Sequence, residues 1–303
     1  MLTVAPDPVR ELVAREAGLV VPAAFHAIGE AARARFAPAA RAVLLYGSCL
    51  RDGQDRDRLV DLYVLLDDST SGAERPLLRA LGALLPPNVY HLATPFEGRT
   101  VRAKVAVVGL ARLERLVSPQ TLEPYFWARL AQPVRLLWAA DPAVEARVHA
   151  LLAQSVRTLV AAVRPLLGTA SDPLVLFERA FHETYRTELR AERPGRATLI
   201  VTADAARYER LGRLCLAGSP PPGPEERTRA VRLWARRRRL GKLRSVLRLA
   251  KAAFTFEGGA DYLAWKIERH SGERIELTAW QRRHPILAGL LLLPRLRRRG
   301  AVR

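Results

Sequence analysis

The stretch LLYGSCLRDGQDRDRLVDLYVLL, residues 44–66, places a Gly-Ser pair at the end of one apolar run and an aspartate inside the next. The runs Ala42–Tyr46 and Leu59–Leu66 are rich in Val and Leu, and a Gly/Asp-rich loop separates them, so they are predicted to be neighbouring β-strands. The carboxylate of Asp61 would cost considerable free energy if it were buried without a partner. Its position therefore indicates a functional role, with a structural ion pair to an arginine as the alternative.

Gly47 and Ser48 are residue types suited to binding phosphate. A glycine lets the backbone approach a ligand closely, and backbone N–H groups and a serine hydroxyl can bind phosphate oxygens. A carboxylate on the next strand can hold Mg²⁺, which neutralises a leaving pyrophosphate. Twelve residues separate Ser48 from Asp61, a layout that resembles the active site of the nucleotidyltransferase superfamily. A simple turn is the alternative interpretation of the Gly-Ser pair.

Tyr63 departs from the superfamily pattern, which has a second carboxylate at this position. In an extended strand Tyr63 lies on the same face as Asp61, and a phenol is a poor ligand for Mg²⁺. Asp67 shares that face but lies about 20 Å along the strand. Either the site has lost its metal or a residue from elsewhere supplies the second ligand.

The departure at Tyr63 is itself typical of one family. The segments Tyr46-Gly47-Ser48 and Asp61-Leu62-Tyr63 resemble motifs of the mitochondrial-type phosphatidate cytidylyltransferases, the translocator-assembly-and-maintenance proteins, and their bacterial relatives. In that family two apolar residues follow the aspartate. The resemblance implies CTP and phosphatidate as substrates, CDP-diacylglycerol and pyrophosphate as products, and Mg²⁺ as cofactor.

Further segments continue the resemblance, in the same order, over about residues 40–200. They read NVY at 88–90, RAKV at 102–105, YFWARLAQPV at 125–134 and YRTELR at 185–190. The resemblance implies catalytic roles for Asp61 and Lys104, and our hypothesis is that Glu188 completes the metal site with Asp61. Nucleotide- or phosphate-binding roles are implied for Tyr46, Gly47, Ser48, Tyr90, Tyr125, Arg129 and Arg190.

Several of these residues also have simpler interpretations. Tyr125 and Arg129 could be ordinary neighbours at i and i+4 on a helix. Glu188 could form a local ion pair, and Lys104 could be an exposed strand charge. Gln132 stands where the family has a lysine, which leaves a phosphate role at that position in doubt.

The net charge of +19 is concentrated at the C-terminal end. Residues 227–303 carry +16 of it, which favours an anionic partner, either nucleic acid or acidic phospholipid. Apolar residues spaced for one helical face lie among these charges, as in helices that bind in the membrane interface. A helix packed on the catalytic domain is the alternative. The apolar residues are Leu240, Leu243, Leu247, Ala250 and Phe254.

The predicted fold class is α+β. A nucleotidyltransferase-type mixed sheet with helices would occupy residues 1–117, and a mainly helical substrate- and nucleotide-closing domain would occupy residues 118–217, with a winged-helix-like arrangement as one option. Residues 218–226, GSPPPGPEE, form a Pro-rich linker. Residues 227–303 would be a basic amphipathic membrane-associating region.

The expected location is cytoplasmic, peripheral on the inner face of the cell membrane. Only two cysteines are present, and no apolar run reaches the ~18–20 residues that span a bilayer. CTP, phosphatidate and an anionic membrane surface are the expected partners, and no nucleic acid is expected. Two other functions stay open. One is a nucleotidyltransferase that acts on RNA and binds it through the basic C-terminal region, and the other is a non-catalytic nucleotide- or lipid-binding protein.

Overall fold

The protein is described here from a computed structural model, which covers residues 7–56, 58–68, 84–168, 172–188 and 195–255, with residues 82, 278, 280 and 281. Arg190 and the C-terminal end beyond these residues lie outside the described part. So does most of the segment 77–85, whose sequence predicts a helix.

The secondary structure combines one sheet with helices, which confirms the predicted α+β class. In chain order the elements are α1 (Pro8–Ala17), α2 (Ala23–Arg35), β1 (Ala40–Tyr46), α3 (Ser48–Asp52), β2 (Leu59–Leu66), β3 (Asn88–Phe96), β4 (Arg99–Gly109), α4 (Leu110–Leu116), α5 (Tyr125–Leu130), β5 (Val134–Ala139), α6 (Pro142–Leu167), α7 (Pro173–Tyr185), α8 (Arg196–Thr202), α9 (Ala205–Leu216) and α10 (Pro224–Thr255).

The sheet is mixed, with strand order β3-β4-β2-β1-β5. The central strand β2 pairs antiparallel with β1 and parallel with β4, and the outer strands β5 and β3 are both antiparallel to their neighbours. In this register Asp61 lies beside Tyr46 on β1 and beside Lys104 on β4. The two strands predicted from residues 44–66 are therefore neighbours, and they bring the Gly-Ser end of β1 next to Asp61.

Side chains of β2 alternate between two apolar layers, as the period of two in a strand requires. Val60, Leu62 and Val64 are fully buried on one face, where Phe25 and Ile28 of α2 cover them. Tyr63 and Leu65 face the other layer, which contains α1 and the helices from α4 to α10. Asp61 lies on this second face, so the helices that follow the sheet are the ones that can reach it.

Two segments differ from the sequence-based expectation. The fifth strand β5 belongs to the sheet although it follows residue 117, where the sheet domain was expected to end. The short apolar run Ala197–Thr202 predicts a strand from its sequence, which is wrong, because these residues lie in α8, where Ile200 and Val201 are buried among helices. A short apolar run has no period that distinguishes a strand from one turn of a buried helix, and packing decides between them.

The basic C-terminal helix α10 packs on the rest of the protein. The indole Nε1 of Trp234 donates a hydrogen bond of 2.8 Å to the carbonyl oxygen of Ala162 on α6. Arg238 forms a 3.0 Å ion pair with Glu183 of α7, a carboxylate that is only 1% exposed. Of the predicted apolar face, Leu243 is 56% exposed and Leu247 is 42% exposed. One side of α10 is therefore an internal packing surface, and another side is open to solvent.

One helix in the described residues, α6, is long and apolar enough to cross a membrane by length and composition. Half of its most apolar window is buried inside the protein. Val148, Leu151 and Val156 of α6 pack in the layer that covers the sheet. Core packing accounts for the apolar composition of this helix.

Candidate functional site

Gly47 directly follows β1 and has a backbone conformation that only glycine adopts readily. Its φ of 89° and ψ of −161° lie in a region that costs other residues on the order of 1–3 kcal/mol. An ideal Cβ placed on residue 47 would lie 2.6 Å from the Oδ2 atom of Asp61. The backbone of the Gly-Ser turn therefore lies directly against the Asp61 carboxylate, and Ser48 follows at the start of α3 with a half-buried side chain.

The charges of four basic side chains, each from a different part of the chain, act on Asp61, and one of them, Lys104, lies beside it on the neighbouring strand. Burial raises the pKa of the Asp61 carboxyl group above its usual range, although the nearby cations act in the opposite direction. Without a ligand the carboxylate is thus poorly hydrated, and the charges of four basic side chains act on it. The cations, in decreasing order of influence on Asp61, are Lys104, Arg129, Arg51 and Arg196.

Arg51 and Arg196 are site residues that sequence reasoning missed. Arg51 is on the helix that follows Gly47, and its Nη1 donates a 3.3 Å hydrogen bond to Oε1 of Gln132. The spacing of Arg51 from Ser48 could have identified it, because residues three apart lie on one side of a helix. Arg196 is the first residue of α8 and reaches Asp61 only through the tertiary fold.

Three tyrosines line the site next to Asp61. The rings of Tyr46 and Tyr63 are stacked, with centroids 4.7 Å apart and an angle of 24° between planes. Burial raises the pKa of Tyr63 well above its usual value, and the nearby Tyr125 acts in the same direction. Tyr63 is therefore a neutral phenol packed in the core at the position where the superfamily has its second carboxylate. It does not replace that carboxylate as an anionic ligand.

Arg129 is held in place by a carboxylate and an aromatic ring. Its Nη1 and Nη2 atoms donate hydrogen bonds of 2.8 Å and 3.1 Å to the two oxygens of Glu188. Its Cζ atom lies 3.8 Å from the ring centroid of Tyr125. Burial is the largest single influence on the pKa of Arg129 and acts to lower it, but the charge and hydrogen bonds of Glu188, together with the nearby Tyr125 and Tyr63, outweigh burial and raise that pKa well above its usual value. Arg129 is thus a cation held in one orientation, and its charge acts on Asp61.

The donor set for a metal ion contains one well-placed carboxylate. Glu188, the residue predicted to complete the metal site, has both oxygens bound to Arg129, and its role as a ligand stays a prediction. Across the described ranges no group of three or more His, Cys, Asp or Glu side chains could hold a metal ion. Because Mg²⁺ often takes one or two protein carboxylates together with substrate phosphates, Asp61 beside the open backbone of Gly47 fits a magnesium ion that arrives with a nucleotide.

The remaining predicted residues divide between the two faces of the sheet. Tyr90 lies on the face opposite Asp61, where its ring contacts Phe36 with a centroid distance of 5.2 Å. The fold does not bring Tyr90 to the carboxylate. Tyr46, Gly47, Lys104, Tyr125, Arg129 and Glu188 all lie on the Asp61 side.

Comparisons with known proteins give no family assignment. No protein-family model and no curated protein matches the chain. Among solved structures the chain is similar to a nucleotidyltransferase-like protein from Exiguobacterium sibiricum 255-15, with 11% sequence identity, 90% of this chain and 92% of that chain covered, and a TM-score of 0.28. A TM-score this low does not establish a common fold, so the functional proposal rests on the geometry of the site.

Gly47→Ala tests the close approach of the backbone to Asp61. The added Cβ would meet Asp61 Oδ2 and would force a disfavoured backbone conformation, so we expect the free energy of unfolding to fall by about 2–4 kcal/mol. Gly53→Ala is the matched control, because Gly53 also has a positive φ, 65°, but a Cβ there meets nothing within 4 Å. Urea denaturation measures the free energy of unfolding of both variants. Equal losses in the two variants would contradict the steric role of Asp61.

Asp61→Asn tests the electrostatic state of the carboxylate. Its pKa is raised in the folded protein, so the folded state binds the proton more strongly than the unfolded state, and ionisation of Asp61 lowers stability as the pH rises through the raised pKa. We expect Asp61→Asn to be more stable than the wild type at pH 7, and the difference to shrink as the pH falls towards the ordinary value of about 4. Urea denaturation at a series of pH values measures this. A variant less stable than the wild type at pH 7 would show that the cations stabilise the anion more than burial destabilises it.

Proposed function

We propose that the protein is a nucleotidyltransferase that binds a magnesium nucleoside triphosphate at Asp61 and transfers the nucleotidyl group to an anionic acceptor. The observation that carries this proposal is the Asp61 carboxylate, which lies against the bare backbone of Gly47 and on which the charges of four basic side chains act. Arg129 is paired with Glu188, but Lys104 and Arg51 together carry one more charge than Asp61, so the site has an excess of positive charge. Such a site favours a polyphosphate, whose negative charges the cations would neutralise.

The residues divide the work of binding and charge neutralisation. Lys104, Arg51 and Arg196 would bind phosphate oxygens, and Arg129 would present a guanidinium whose orientation Glu188 and Tyr125 fix. Asp61 would hold the Mg²⁺ together with the triphosphate. The ion, when bound, would neutralise the charge that develops on the leaving pyrophosphate. Phosphoryl chemistry of this kind depends mainly on positioning and electrostatic stabilisation.

The acceptor that we propose is phosphatidate, with CTP as the nucleotide. The motif resemblance described above supports both identities. A phosphate monoester is already ionised near neutral pH, so it attacks the α-phosphorus of the nucleotide without help from a general base. Burial raises the pKa values of Tyr46 and Tyr63 well above their usual range, so these phenols stay protonated and do not act as bases. The products would be CDP-diacylglycerol and pyrophosphate.

A lipid acceptor requires a surface that contacts the bilayer, and the exposed side of α10 has the required composition. Arg236, Arg239 and Lys242 are exposed there, and the exposed Leu243 and Leu247 follow them on the same helix. Basic side chains next to inserted leucines are typical of helices that bind anionic membrane interfaces. This exposed set, called the outer patch below, supports a lipid surface over RNA, because single-stranded RNA is usually bound with stacked aromatic residues as well as positive charge.

The activity test uses purified full-length protein with CTP labelled at the α-phosphate, Mg²⁺ and vesicles containing phosphatidate. We expect labelled CDP-diacylglycerol and free pyrophosphate in equal amounts. Asp61→Asn should lower the rate by a factor of about 10² or more, although the variant is expected to fold. Glu114→Gln, which removes an exposed ion pair with Arg147, is the control and should keep the wild-type rate.

The same assay separates the alternatives. Transfer of label to an RNA oligonucleotide, with none to phosphatidate, would favour the RNA nucleotidyltransferase. Absence of transfer to either acceptor from CTP, ATP, GTP or UTP, in folded and vesicle-bound protein, would favour the non-catalytic binding protein.

The outer patch is tested by the double variant Leu243→Ser/Leu247→Ser in vesicle flotation. Loss of two partly inserted leucines should weaken binding to vesicles rich in anionic lipid by about tenfold or more. Val231→Ser is the matched control, because Val231 is also on α10 and 50% exposed but lies outside the patch. Unchanged flotation of the double variant, or equal weakening in the control, would contradict the membrane role of the patch.

A further inference from the structure

Arg248 lies on the C-terminal helix, far from Asp61 in sequence, yet its side chain reaches the wall of the site. Its Nε atom donates a 2.9 Å hydrogen bond to the carbonyl oxygen of Pro86, and its Nη2 atom pairs with Glu123. Its Cζ atom lies 4.3 Å from the ring centroid of Tyr125. The side chain is 15% exposed, so it belongs to the interior of the protein rather than to the outer patch.

The ring of Tyr125 is therefore shared by two guanidinium groups. Arg129 contacts it at 3.8 Å and Arg248 at 4.3 Å. Because Arg129 lies on the same ring, a ring held in place by Arg248 also helps to hold Arg129 in place. Arg129 is in turn one of the cations that act on Asp61. Tyr125 is thus the connection between α10 and the group of cations.

Other contacts hold α10 in register around Arg248. The Nζ atom of Lys251, one turn later, donates hydrogen bonds of 2.8 Å to the carbonyl oxygen of Pro87 and 3.0 Å to Oδ1 of Asn88. Arg244, one turn earlier, lies 3.6 Å from the Glu123 carboxylate. Three successive turns of the helix therefore contact the start of β3, the residues just before it, and the residues just before α5. The position of Arg248 is set by this docking and does not depend on its own contacts alone.

We propose that Arg248 is a positioning residue of the nucleotide site, and that α10 is consequently part of the active-site wall as well as a candidate membrane contact. The proposal rests on the proposed function. In this arrangement Arg248 orients Tyr125, and Tyr125 with Glu188 orients Arg129 towards the phosphates. A lysine at position 248 could not reproduce the contacts, because the planar guanidinium donates to two acceptors while its face lies over the ring.

The test compares Arg248→Met and Arg248→Lys with Arg229→Met, an exposed arginine on the same helix that contributes to no site described above. Titration calorimetry measures the Kd of magnesium CTP and of magnesium tripolyphosphate for the full-length proteins, and initial rates give KM and kcat. We expect both Arg248 variants to raise the Kd values and the KM for CTP by about five- to tenfold, with a smaller effect on kcat. Arg229→Met should match the wild type.

A purely structural role predicts a different result. It would lower the melting temperature of the Arg248 variants while the folded fraction kept wild-type Kd values, or Arg248→Lys would restore them. Either result would overturn the proposal, as would a wild type that binds neither magnesium CTP nor magnesium tripolyphosphate. If the wild type binds magnesium tripolyphosphate and the Arg248 variants do so more weakly, but no CDP-diacylglycerol forms, the positioning role stands and the proposed reaction fails.

Discussion

The Asp61 carboxylate can occupy its place in the sheet because residue 47 has no side chain. A Cβ there would lie 2.6 Å from Oδ2, and the turn also needs a backbone conformation that only glycine adopts at little cost. Burial of the carboxylate at this place raises its pKa. The missing side chain at residue 47 therefore allows both the position of Asp61 and the open backbone surface beside it.

Arginines in the site and in its wall have their own counter-charges, which come from the segments just after α7 and just before α5. Glu188 pairs with Arg129, and Glu123 pairs with Arg244 and Arg248. Paired guanidinium groups stay ordered without ligand, and order in the free protein reduces the entropy that binding must cost. This arrangement requires particular residues at distant positions of the sequence, because each carboxylate lies in a different part of the chain from the arginine that it holds.

The sequence predicts the site residues that lie close together in the chain, but not those that only the tertiary fold brings to the site. Gly47, Ser48 and Asp61 lie within one hairpin-like segment, so the alternation of apolar residues and the turn were enough to bring them together. Arg196 and Arg248 come from distant helices, and no spacing rule connects them to Asp61. Tyr90 was expected at the site, but its register with Val105 puts it on the opposite face, which only the pairing of β3 with β4 determines.

The position of α10 changes the meaning of the positive charge at the C-terminal end. Net charge alone suggested an anionic partner, yet Arg238, Arg244 and Arg248 all face carboxylates of the same chain. These three arginines contact Glu183 and Glu123, which are buried, so part of the positive charge is neutralised within the chain. The case for a membrane surface therefore rests on residues that remain exposed, such as Arg239 and Lys242 beside Leu243. Because both sets lie on one rigid helix, a surface that binds the outer side lies close to the wall of the site.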